Sequence, residues 1–64
     1  MYTMIERVSS CNADENGKVL QRVVIQVDTA DDIPDPDASW DTGSICVIAE
    51  THKYNILNSE GEWA

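Results

Sequence analysis

The stretch Lys18-Val19-Leu20-Gln21-Arg22-Val23-Val24-Ile25-Gln26-Val27-Asp28 constrains this chain more than any other part of it. Val23, Val24, Ile25 and Val27 branch at Cβ, and such side chains lose rotamer freedom in a helix but fit a pleated strand. Val19, Val23, Ile25 and Val27 share one parity, with Gln21 among them; Leu20, Arg22, Val24 and Gln26 share the other. This pattern predicts a β-strand and sets the architecture that the remaining segments must complete.

Residues 2–9 supply a second strand. Tyr2, Met4 and Val8 share a parity that Glu6 interrupts, and Thr3, Ile5, Arg7 and Ser9 take the other. Residues 11–17 read as a polar loop ending in Asn16-Gly17, a dipeptide that tolerates positive φ and suits a turn. The two strands are therefore expected to form an antiparallel hairpin with a long loop. Gly43-Ser44 restarts the β pattern, with Ile45, Val47 and Ala49 facing one way and Cys46, Ile48 and Glu50 the other. Its nearly continuous apolarity predicts a strand covered on both faces, at a sheet centre or a subunit interface. Thr51-His52-Lys53 reads as a hairpin tip, Tyr54, Ile56 and Leu57 as the returning strand, and Asn58-Ser59-Glu60-Gly61 as a tight turn. Glu62-Trp63-Ala64 reads as a short last strand, with the Trp63 indole docked.

Residues 28–41 differ. They hold six of the twelve acids, both prolines and no base. Thr29 and Asp32 have capping-box spacing, and Ile33 precedes Pro34, which disfavours further helix. One short helical turn is expected at residues 29–33, followed by an extended acidic loop that Ile33 and Trp40 pin onto the sheet. The sum is an all-β fold: one small acidic domain over residues 1–64, an antiparallel meander of about five strands, open-barrel or sandwich-like, with that single helical turn.

Sixty-four residues bury only about 60% of the surface an unfolded chain exposes, so the core is marginal. The formal charge of −8 opposes binding to bare nucleic acid or to an anionic membrane surface, both of which need clustered cations. No secretory signal pattern or apolar membrane-length run is present in the sequence, which makes the cytoplasm the expected compartment and keeps Cys11 and Cys46 as free thiols. Oxygen-bearing side chains alternate along Asp35-Pro36-Asp37-Ala38-Ser39-Trp40-Asp41, as in a calcium loop. Trp40 stands where the loop needs glycine, however, and Cys46 where it needs a bidentate acid, so the segment reads as a solvated connection. His52, the sole histidine, falls at a hairpin tip with no nucleophile beside it in sequence and reads as a solvated turn residue. A thin meander offers little to wall off a water-excluding cleft. No catalytic residue, metal ligand or cofactor is therefore assigned.

The run Gly43-Ser44-Ile45-Cys46-Val47-Ile48, followed by Tyr54-Asn55-Ile56-Leu57-Asn58-Ser59-Glu60-Gly61-Glu62-Trp63, resembles small phage and prophage virion proteins of Gram-positive bacteria. Asp28-Thr29-Ala30-Asp31-Asp32-Ile33-Pro34 is similar to the short helical turn before that hairpin in such chains. The resemblance covers about residues 28–63 and implies a head or tail accessory component, present in the bacterial cytoplasm during assembly and then in the virion. The matching residues have physical roles of their own. Gly43 permits unusual backbone angles at the strand entry, Gly61 supplies a turn, and Tyr54 and Trp63 lie on neighbouring strands where they could pair.

The expected function is thus a non-enzymatic structural or accessory virion protein acting through protein–protein contact, as a homo-oligomer or docked on phage head or tail proteins. The interface candidates are Ile45, Val47, Ile48, Tyr54, Trp40 and Trp63, with the strand around Ile45 to Ile48 meeting its partner by edge pairing or face packing. Two alternatives stand beside it: an acidic DNA-mimic inhibitor of a host factor, and a small carbohydrate-binding module using Trp40 and Trp63.

Overall fold

The computed structural model describes residues 2–64. Four strands form one sheet in the order β1-β2-β3-β4: β1 is Tyr2–Ala13, β2 Val19–Val27, β3 Ile45–Ile48 and β4 Lys53–Ile56. The all-β class holds, and the helical element is a single 3-10 turn at Ala30–Asp32. Two details of the expected meander are corrected. The sheet is mixed, because β2 and β3 run parallel, with Val24 opposite Ile45 and Val27 opposite Ile48. The fifth strand reduces to a bridge between Leu57 and Trp63, although Ile56 and Ala64 exchange both backbone hydrogen bonds there.

The parallel step has a local cause. Residues 28–44 are a long connection, and parallel neighbours require a crossover rather than a tight turn. The acids, prolines and 3-10 turn give this segment enough length without regular structure to return to the start of the sheet. Its last part runs beside β2, where the Gln21 amide donates to Ser39 O (2.8 Å) and the Asp41 amide donates to Gln21 O (2.7 Å).

The crossover covers one face. Val23, Ile25 and Val27 of β2, Cys46 and Ile48 of β3, and Leu57 are buried there. Ile33, Trp40 and Trp63 pack against this cluster, so Ile33 and Trp40 pin the loop as expected. The Trp63 indole is docked: its Nε1 donates to Pro34 O at 2.9 Å, tying the chain end to the crossover. Tyr2 meets Trp40 edge-on at 5.7 Å between ring centres, and Trp40 meets Trp63 at 6.2 Å. The expected Tyr54–Trp63 pair does not form, because Tyr54 lies opposite Val47 on the other side of the sheet.

Strand β1 is longer than expected and twice irregular. Met4 opposes Ile25 and Glu6 opposes Val24, so Ile5 has no partner of its own. This bulge reverses the parity of everything after it, which is why Glu6 interrupts the apolar series. Tyr2 and Met4 share a side with the core residues Val27 and Ile25, whereas Glu6 and Val8 share the opposite side with Val24 and Arg22. A second shift between Ser9 and Ala13 contains Cys11 at φ 65. The hairpin turn at residues 14–18 is short and closed by Asp14, whose Oδ1 accepts from the amides of Asn16 and Lys18, both at 2.9 Å.

Candidate functional site

The register defines the face that the crossover leaves bare. Two cross-sheet rows lie on it: Glu6, Val24, Ile45 and Ile56, and beside them Thr3, Gln26, Val47 and Tyr54. Val8 and Arg22 extend the face toward the hairpin tip. Val24, Ile45 and Val47 are half-buried by their own neighbours, whereas Tyr54 is 63% exposed, Val8 47% and Ile56 43%. Six of these ten open-face positions are apolar or aromatic, the others being Thr3, Glu6, Arg22 and Gln26, and the crossover leaves them uncovered. Strands of a parallel pair ordinarily have both faces covered, so the bare side is the unusual feature of this molecule.

Charge is segregated in the same way. Among the paired open-face positions the only ionised side chains are Glu6 and Arg22, which sum to zero. The net charge of −8 is therefore carried elsewhere, half of the acids lying in residues 28–41. Arg22 is also occupied: its Nε donates to Thr42 O at 3.4 Å and its guanidinium lies 4.0 Å from Asp41.

The edges of the sheet are closed by different devices. On β1 the bulges at Ile5 and at residues 10–12 divide the strand into two short uninterrupted stretches, Tyr2 to Met4 and Glu6 to Ser9, the second of which begins with two charged side chains. Bulges and charges of this kind resist strand addition. On β4 the outward backbone groups of Ile56 are taken by Ala64, and Asn58 donates to Glu62 O, so the C-terminal turn lies along that edge. Tyr54, two residues earlier, is the other β4 position whose backbone faces outward.

Of the six interface candidates, Ile45, Val47 and Tyr54 come together on the open face. The other three are corrected. Ile48 is 6% exposed within the core, and Trp40 and Trp63 turn toward the covered face and pack against it. Edge pairing by β3 is also overturned, since β2 and β4 occupy both its edges. Val24, Ile56 and Val8 belong to the site but were not singled out from sequence. Ile56 was accessible from its two-residue spacing to Tyr54; Val24 and Val8 required the register and the bulge.

Two carboxylates of the acidic loop are engaged, one within the loop and one by β1. Asp37 Oδ1 accepts from the Ser39 amide (2.8 Å) and from Ser39 Oγ (2.7 Å), and these bonds hold its carboxyl below the usual range. Asp41 is lowered chiefly by Asn12, whose Nδ2 donates to Oδ2 at 2.7 Å. Among the described residues, no three of the His, Cys, Asp and Glu side chains converge as metal ligands would. A hollow of about 300 Å³ lies between the β1–β2 turn and the crossover, lined by Asp14, Lys18, Leu20, Asp37 and Ser39. His52 is exposed at φ 59 in the β3–β4 turn. Cys11 and Cys46 are free; Cys46 is buried, and burial pushes its thiol up, away from the reactive thiolate. The two indole rings on which the sugar-stacking reading relied are partly buried and pack against the core.

No match to this chain is found among protein-family models, curated proteins or solved structures.

Proposed function

We propose that this chain is a non-enzymatic assembly protein that works by laying its open sheet face against another protein surface within a phage or prophage virion. The observation that carries the contact is the bare face itself: mostly apolar, with a formal charge of zero, and spanning all four strands, while both edges are obstructed. Burial of such a face releases ordered water at roughly 25 cal/mol per Å² of apolar area, the driving force of most protein association. The virion setting rests on the resemblance of residues 28–63 to small virion proteins.

Val47→Asp tests the proposal. Val47 sits mid-face between Gln26 and Tyr54, and a carboxylate there would be buried without a partner by any docking surface. The wild-type chain is expected to co-purify with assembled particles and V47D to be lost from them, both being folded by circular dichroism. Particles that hold V47D as tightly as wild type exclude the open face as the contact.

A further inference from the structure

We infer that the occupant of the open face is a second copy of the same chain, packed sheet against sheet about a two-fold axis. This deepens the assembly reading and rests on it. Three features select a second copy over a different partner.

The first is area. Strands about 4.8 Å apart, rising about 3.3 Å per residue, give the face a footprint on the order of 400 Å². Two such faces together offer on the order of 800 Å², close to the roughly 1,000 Å² at which a specific interface begins, so the whole face and not a part of it has to be covered, as a face of the same outline does. The second is charge. An acidic chain built to seize a basic partner would display its acids on the docking surface, whereas here Glu6 is the one acid among the paired face positions. A neutral apolar strip carries no sign for a charged partner to read and is complementary to itself.

The third is shape. Two identical sheets share one twist, and such sheets pack aligned at about 30° with their side chains interdigitating. The molecule measures 37 × 21 × 16 Å and holds one sheet with a single covering layer. A second sheet about 10 Å away would give β2 and β3 the cover on their other side that parallel strands ordinarily have. Edge-to-edge pairing is disfavoured by the bulges of β1 and the C-terminal turn along β4, so the contact is face to face.

Sedimentation equilibrium over a micromolar to millimolar concentration series tests the pairing, with the wild type, V47D and Tyr54→Glu. The wild-type chain is expected to approach twice its 7.1 kDa mass. Each variant is expected to associate about 100-fold more weakly or worse, since the two-fold buries the new charge twice. Tyr54 is 63% exposed and outside the core, so Y54E reports on the contact even if V47D fails to fold. A wild-type monomer throughout the series, or a dimer indifferent to both folded variants, overturns the pairing. Particle association separates this from the broader reading. A monomer that joins particles through Val47 ends the pairing and keeps the assembly role; a dimer that never joins them keeps the pairing and ends that role.

Discussion

Ser44 has no exposed surface and sits just before β3, where the parallel ladder with β2 has not yet begun. The Val23 amide therefore has no β3 carbonyl to reach and donates instead to Ser44 Oγ at 3.1 Å, while Ser44 Oγ donates to Asp41 O at 2.8 Å. One hydroxyl thus serves two backbone groups at the end of the core. Ser44→Ala keeps the size and removes both bonds, leaving a buried amide unpaired. The expected loss is about 1–3 kcal/mol in a urea titration, with the slope unchanged. A loss below about 0.3 kcal/mol would show that water replaces the hydroxyl there. Gly43, one residue earlier, has φ +96, and a Cβ at that position would lie 3.1 Å from Arg22 Nε. Strand entry thus depends on a glycine for its backbone and on a serine for its hydrogen bonds.

The crossover is held to β1 through Asp41. Its Oδ2 accepts from Asn12 at 2.7 Å, its Oδ1 accepts from the Thr42 amide at 2.8 Å, and Arg22 stands 4.0 Å away. These contacts favour the carboxylate and depress its pKa below the ordinary 3.8. A group depressed on folding contributes stability that is complete above its unfolded pKa and disappears as pH falls through the folded one. The margin of wild type over Asp41→Asn is therefore expected to be constant above about pH 5 and to shrink steadily below pH 3.8, measured by denaturant melts across that range. A margin independent of pH down to pH 2 would show that the contacts do not depend on the charge. Much of this element was legible in the sequence: the acids and Pro34 marked a non-strand segment, a short helical turn forms at Ala30–Asp32 although Thr29 makes no side-chain cap bond, and Ile33 and Trp40 pin it. The direction of its return was not legible. Local patterning identifies Ile45–Ile48 as a strand but does not say on which side of Val24–Val27 it lies, nor whether it runs parallel. The candidate site suffered from the same limit. Ile45, Val47 and Tyr54 share the open face, whereas Ile48 differs from Val47 by one position and so points into the core. The extra residue at Ile5 concealed the position of Val8 by inverting its parity.

At the scale of the whole molecule, acids and apolar surface are kept apart. The charge of −8 lies off the bare face, and much of it surrounds the crossover. Two copies meeting through the open faces would repel through their remaining charge at long range while attracting at contact. Salt screens the first and leaves the second, since the Debye length falls from about 30 Å at 0.01 M to about 10 Å at 0.1 M. Self-association is thus expected to strengthen as salt rises over that interval, read as the concentration at which half the chains are dimeric. An acidic inhibitor gripping a basic groove would show the opposite trend, losing affinity for its target as salt rises.

The two obstructed borders of the sheet have a final consequence. Ladder growth, in which each arriving chain offers its flank to the next, finds only short open stretches on β1 and β4. Stacking through the faces is hindered beyond one event over β2 and β3, whose far side is roofed by the crossover, although Tyr2 and Met4 of β1 stay exposed on that side. Filaments and open-ended aggregates are therefore poor outcomes for this fold, and a crowded solution of it favours discrete particles of fixed size.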